Sequence, residues 1–381
     1  MKLNRKEFLS LSGKTLMGLP FFPALMLPLR NDPRIPKIKS GEAMIAVKVK
    51  KLILTHTWTI SRNSSDFKNN VFVRLEKDGI VGYGEAAPNV RYGESAEKTV
   101  KRIRDASYLF HDRDFFHYVE LKEALDSVIV DQNCARAALD MALMDWVGKA
   151  LGVPLYKLWG LNPEHAPVTS FSIGIDTPEM IQRKVKEAEA FPVLKIKVGT
   201  DRDEEIVQAV RRVTNKPIRV DANEGWTSRE QALKKIQWLK SQGVEFIEQP
   251  MPAEQIEDIA WLRERVDMPI VADEAVKTAA DIPRLVGAYD GINIKLMKAG
   301  GLQEAWRMIQ LARALGLKIM LGCMIESSVA ISAAAQLAPY ADWLDLDGNL
   351  LIRNDPFTGV QVEQGKLIYP DRPGLGVEGT F

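Results

Sequence analysis

With 51 Lys and Arg against 50 Asp and Glu in 381 residues, the chain has no basic excess with which to grip a polyanion, and a nucleic-acid footprint is excluded. Two cysteines, Cys134 and Cys323, and four scattered histidines make neither a disulfide framework nor a zinc spacing, so any metal must be held by oxygen. The length exceeds what one core usually fills, and one large α/β domain beside a smaller one is the expectation.

Near its start the chain reads NRKEFL and then LMGLPFFPALMLPL, a basic start followed by an apolar run. That run is too short and too rich in proline for a membrane-spanning helix, and its layout is that of an export signal or anchor over residues 1–30. NRKEFL resembles a twin-arginine leader in which Lys6, after Arg5, replaces the second arginine. Export to the periplasm, with no stable membrane span in the mature chain, is the expectation; a cytoplasmic protein is the alternative. NDPRIPKIKSGEAM, within residues 31–45, reads as a linker.

From residue 46, AVKVKKLILTHTWTI, NVFVRLEKDG and IVGYGEAAP read as strands, with a hairpin at Lys77-Asp78-Gly79. Helical periodicity follows in SAEKTVKRIRDASYLF and NCARAALDMALMDWVGKAL. Strands followed by helices predict an α+β unit over 46–160, to which a tail from about 355–381 returns. Between 161 and 354 the pattern changes to eight short apolar runs: 168–175, 194–198, 218–223, 246–250, 270–274, 292–297, 318–324 and 343–348. Amphipathic stretches separate most of them, which is the signature of a parallel closed barrel. An open doubly wound sheet competes, but its G-x-G-x-x-G turn after the first strand is missing.

Charged residues sit near the C-terminal ends of these strands, where such barrels build their chemistry. Lys195 and Lys197 lie on the second, Asp221 on the third, Glu248 on the fourth, Asp273 on the fifth, Lys295 on the sixth, and Asp345 and Asp347 on the eighth. In a ring of eight, Asp221, Glu248 and Asp273 form one arc of oxygen ligands, which selects a hard cation, Mg²⁺ above others. Lys197 and Lys295 flank that arc from opposite sides. A substrate carboxylate on the metal would then hold its α-carbon between two ammonium groups, one to remove a proton and one to deliver it. For this a lysine must be partly neutral, and a desolvated site with neighbouring cations, Lys195 beside Lys197 and the metal, is expected to push its pKa down towards ~7–8.

These residues, with YGEAAP, KIK, DANEGW, IEQP, ADE, NIKLMKAGG and PGLGVEG, resemble the enolase superfamily and its muconate-lactonizing-enzyme subgroup over residues 46–381. The resemblance implies a (β/α)₇β TIM-like barrel with an N-terminal α+β capping domain and one Mg²⁺ per subunit on Asp221, Glu248 and Asp273. It also implies Lys197 and Lys295 as acid and base. Asp345 and Asp347, i and i+2, share the interior face opposite the metal arc, where they would receive a cation. A dipeptide has that shape, and D-x-D here is similar to the dipeptide epimerases. By the same resemblance Arg62 would hold a side-chain carboxylate, and Ser172, Cys323, Met324 and Ile325 would line the peptide pocket with Lys195 nearby.

Epimerisation of the C-terminal residue of L-Ala-D/L-Glu, from cell-wall peptides, is therefore the expectation. Another L-Ala-X dipeptide is an alternative. So is an o-succinylbenzoate synthase, N-acylamino-acid racemase or cycloisomerase, whose substrates lack a free ammonium. A non-catalytic binding protein is the remote alternative, and assembly as a homo-oligomer stays open.

Overall fold

The computed structural model describes residues 42–379 and 381; the expected leader and the linker up to residue 41 lie outside the described residues. Three antiparallel strands come first: β1 (Met44–Thr59), β2 (Ser64–Lys77) and β3 (Ile80–Ala86). Asp78 and Gly79 between β2 and β3 take φ of 53° and 75°, so both sit in the left-handed region that a two-residue hairpin of matching twist demands. Lys77 pairs with Ile80 as a result.

Helices α1 (Ala96–Ala106) and α3 (Asn133–Leu151) cover the sheet, and α2 (Tyr118–Val128) packs on α3. The Ser95 hydroxyl caps α1 by accepting from the Lys98 N–H. Helix α2 has no counterpart in the sequence reading. Helix α3 lies so close to β3 that a Cβ on Gly82 or Gly84 would fall 2.0 and 1.9 Å from the carbonyl oxygens of Ala142 and Ala138. Only glycine allows that approach. Most of α3 is buried, and its two interior acids are ties rather than liabilities. Asp140 accepts from the Leu302 and Gln303 N–H groups of the barrel, and Asp145 from those of Tyr83 and Leu375.

The barrel strands are β4 (Phe171–Ile173), β5 (Leu194–Lys197), β6 (Ile218–Asp221), β7 (Val244–Glu248), β8 (Ile270–Ala272), β9 (Gly291–Ile294), β10 (Lys318–Gly322) and β11 (Trp343–Asp345), in that spatial order. A parallel bridge between Thr169 and Leu344 brings the last strand back to the first. All eight expected runs are therefore strands of one parallel barrel. Helices α4 (Pro178–Glu187), α5 (Asp203–Arg211), α6 (Arg229–Ser241), α7 (Ile256–Arg263), α8 (Leu302–Ala314) and α9 (Ser328–Ala335) make most of the return connections. After β8 the return is a 3₁₀ segment, Ala279–Leu285, because Pro283 lacks the N–H that an α-helix interior needs. After β11 only a short turn follows, Gly348–Leu351, so seven connections are helical and the eighth strand ends the barrel.

Inside the barrel, Phe246, Val271 and Met320 form an apolar plug with Trp343, whose ring centre is 4.8 Å from that of Phe246. Burying each such side chain is worth about 1.5–3 kcal/mol. With strand period 2, the residue two positions after each plug residue also points inward, one layer nearer the mouth. For β7, β8 and β11 those residues are Glu248, Asp273 and Asp345. The tail returns to the cap, where Phe357 stacks on Phe72 at 5.7 Å and meets Tyr83 edge-on at 5.1 Å. No helix among the described residues is long and apolar enough to cross a membrane.

Candidate active site

Strand register sets the first two acids of the arc. Lys197 pairs with Asp221 across β5 and β6, and Asp221 with Glu248 across β6 and β7. Asp273 follows β8 directly and Lys295 follows β9, capping the helical turn Leu296–Ala299. Asp221, Glu248 and Asp273 are buried, and one oxygen of each lies within 4.8 Å of the others. A lysine stands at each end of the arc: Lys197 Nζ donates to Asp221 Oδ2 at 2.5 Å, and Lys295 Nζ to Asp273 Oδ2 at 2.8 Å.

The geometry corrects one expectation about the lysines. Lys195 does not reach the cavity wall to touch a substrate; it is fully buried beneath it, 2.7 Å from both Glu248 Oε2 and Asp345 Oδ2 and 3.3 Å from Asp221 Oδ2. Burial lowers Lys195, but Asp345, Glu248 and Asp221 outweigh it and hold the ammonium well above its ordinary range. Lys295 is likewise raised, burial losing to Asp273. Among the acids, burial opposes ionisation of Asp221 and Asp273, yet Lys197 and Lys295 respectively keep both below the usual carboxylate range. Glu248 is pushed up to about 7 by burial and by Asp221.

Above this floor opens a cavity of about 330 Å³. Ser172, Asp345, Asp347, Cys323, Met324 and Ile325 line it together, as the resemblance implied. The two aspartates of β11 differ sharply. Asp345 is engaged by Lys195 and accepts from the Ser170 and Ser172 hydroxyls at 2.9 and 3.0 Å, and despite burial it is held at about 2 by Lys195 and Lys197. Asp347 accepts from the Ser172 N–H at 2.6 Å and is pushed up to about 7 by burial and by Asp345. Its negative charge has no cation within ion-pair distance among the described residues, so it is the acid with capacity for an incoming ammonium. Cys323 Sγ is 3.9 Å from Asp347 Oδ1, and burial drives its thiol well up, which argues against a nucleophile.

Arg62 also lines the cavity, but its guanidinium is already engaged. It donates to Asn223 O at 2.7 Å, to Glu224 Oε2 at 2.8 Å and to Glu274 Oε1 at 2.7 Å. Arg91, from the turn after β3, grips Glu224 with two hydrogen bonds of 2.9 Å. Asn223 and Glu224 hold φ of 44° and 66°, a left-handed pair of non-glycine residues kept in place by this network.

Several site residues escaped the sequence reading. Asn293 donates to Glu248 Oε1 at 2.7 Å, and Lys298 donates to Asp273 Oδ1 at 2.5 Å. Gln249 Oε1 accepts from the N–H groups of Asp273 and Ala275, fixing the loop that carries the third acid. Asn293 stands two before Lys295 on β9, and Lys298 three after it on a helical turn, so spacing from a known site residue was the available signal. Glu274 and Glu224 stood inside ADE and DANEGW, quoted for their aspartates, and Arg91 carried no signal.

Three carboxylates without His or Cys offer only hard donors. Glu248 Oε2 is buried and accepts no hydrogen bond among the described residues, its approach to Lys195 being an ion pair off hydrogen-bond alignment. The donor set therefore fits a divalent ion such as Mg²⁺.

The sequence matches two family descriptions: Mandelate racemase / muconate lactonizing enzyme, N-terminal domain, over residues 44–160, and Enolase C-terminal domain-like over 179–380. It is 43% identical over 379 residues to an L-Ala-D/L-Glu epimerase of Bacteroides thetaiotaomicron, covering 98% of this chain and 99% of that one. To an L-Ala-D/L-amino acid epimerase of Pedosphaera parvula it is 45% identical over 343 residues, covering 86% and 96%. In structure it is similar to a dipeptide epimerase of Enterococcus faecalis complexed with Mg and the dipeptide L-Leu-L-Tyr, with a TM-score of 0.83, 33% identity and coverage of 89% and 99%.

Proposed function

The chain belongs to the enolase superfamily, in its mandelate racemase / muconate lactonizing enzyme branch, and is a dipeptide epimerase; from that premise we propose that it inverts the C-terminal residue of L-Ala-D/L-Glu, with one Mg²⁺ and two lysines. One observation carries the reading: Lys197 and Lys295 stand at opposite ends of the acid arc, with Asp347 across the barrel from it.

Asp221, Glu248 and Asp273 would hold the ion. When bound, Mg²⁺ supplies the positive charge that makes an α-proton beside a carboxylate removable. Everything else is done by the chain. Asp347 receives the substrate ammonium, while Lys195 keeps Asp345 ionised beneath it. The α-carbon then lies between the two amines, which come from strands β5 and β9 on opposite sides of the ring. Lys197 takes the proton from one isomer; Lys295, held as an ammonium by Asp273, gives one back on the other face, and the roles exchange for the opposite isomer.

A second reading, another L-Ala-X substrate, is favoured by Arg62, whose charge is already met by Glu224 and Glu274. Incubating the Mg²⁺-loaded protein with an L-Ala-X panel separates the two. The expected result is fastest inversion with Glu at the second position; folded, metal-loaded protein that inverts no dipeptide would overturn the proposal. The leader fits export, where cell-wall fragments are met directly, and fractionation of cells making the full-length chain tests that part.

A further inference from the structure

Each of the other cations that line the cavity is matched by an acid. Lys197 is 2.5 Å from Asp221, Lys295 is 2.8 Å from Asp273, Arg62 is 2.7 Å from Glu274 and Arg91 is 2.9 Å from Glu224. Lys68 is the exception. It lines the same cavity, yet among the described residues no carboxylate lies within ion-pair distance of it. Burial alone shifts its amine, downward. An amine that is partly withdrawn from water and unmatched gains from an anion brought to it.

Its direction follows from β2. Lys68 shares a face with Asn70, two residues on, and the Asn70 amide donates to Ile325 O at 3.0 Å, at the mouth of the barrel. That face therefore looks down into the cavity from the cap. The two-lysine arrangement fixes where the substrate side chain goes. With a base on each face of the α-carbon, its carboxylate, its nitrogen and its side chain become coplanar between the amines as the proton leaves. The carboxylate takes the acid arc and the nitrogen the Asp347 side, leaving the side chain to rise towards the cap.

We propose that Lys68 is the residue that selects an acidic side chain on the inverted residue, by pairing with its carboxylate. This rests on the dipeptide-epimerase reading above. It also relieves the difficulty that Arg62 poses, because recognition of glutamate then does not require breaking the Arg62 pairs with Glu224 and Glu274.

The test compares L-Ala-L-Glu with its neutral isostere L-Ala-L-Gln in wild type, Lys68→Met, Lys68→Arg and Lys68→Glu, with turnover and calorimetric binding measured on the same Mg²⁺-loaded preparations. The Glu/Gln ratio of kcat/KM should fall about tenfold to a hundredfold in Lys68→Met, through KM, stay near wild type in Lys68→Arg, and fall furthest in Lys68→Glu. An unchanged ratio in both Met and Glu variants, shown folded by circular dichroism, overturns the proposal. So does dependence on Lys68 for L-Glu-L-Ala in place of L-Ala-L-Glu. Protein that binds L-Ala-L-Glu through Lys68 but inverts nothing would refute the epimerase reading while leaving this one standing.

Discussion

The floor and the roof of the cavity are built in different ways. Floor residues lie on neighbouring strand ends, and their charges are matched within the sheet: Lys197 to Asp221, Lys295 to Asp273, Lys195 to Glu248 and Asp345. The roof is assembled from the cap, whose Arg62 and Arg91 reach Glu224 and Glu274 from 133 to 212 residues away. Covalent register positions the first set rigidly, while docking of two units positions the second. On the proposed function the floor does the chemistry and the roof chooses the substrate, with the Arg–Glu pairs holding the two together.

Changes in the floor should therefore harm every dipeptide alike. Lys197→Ala and Lys295→Ala should each lower kcat for inversion by about 10²–10⁴, measured by polarimetry on both isomers. Next come the β11 aspartates, which the structure separates. Asp347→Asn should raise KM about tenfold to a hundredfold with little change in Tm. In wild type KM should rise as pH falls through about 7, because Asp347 loses its charge there, and the variant should lose that dependence. Asp345→Asn removes a partner from a fully buried Lys195 and should instead destabilise the fold by about 3–5 kcal/mol, seen as a lower Tm.

In the roof, Arg62→Met should weaken all dipeptides by the same few-fold factor, since it loosens the cap rather than removing a substrate contact. A loss confined to L-Ala-L-Glu, measured on the same panel as Lys68→Met, would return the side-chain role to Arg62. The smallest effect on activity is expected where roof and floor meet at Glu326, which accepts from the Met324 N–H and is pushed up to about 8 by burial and by Glu85. The folded chain then keeps a proton that the unfolded chain has lost above about 4.3, so stability falls as pH rises from there towards 8. Glu326→Gln should raise Tm by several degrees at pH 8.5 and leave it unchanged near pH 4.5 in scanning calorimetry.

The same contrast explains what could be read in advance. Strand period 2 and the order of strands around a ring were enough to bring Asp221, Glu248 and Asp273 together and to set Lys197 against Lys295, because those relations are local or cyclic. The 3₁₀ return after β8 was legible too, in Pro283, but was not read. Lys195 could be placed on the interior face, yet its depth could not, since that depends on three carboxylates from β6, β7 and β11 closing over it. Arg62 was found but its partners were not, and Lys68 was passed over. Nothing near either residue in sequence says which barrel loop the cap will meet. Leader and localisation remain readings of the sequence alone.

The central claim is that two amines work on opposite faces of one α-carbon. Its most direct test follows α-proton exchange of L-Ala-L-Glu and L-Ala-D-Glu separately in D₂O with Lys295→Ala, by NMR. The account predicts that one isomer still exchanges, through Lys197, while the other does not and no inversion occurs. Exchange of both isomers at wild-type rates, or inversion that persists without Lys295, would contradict it.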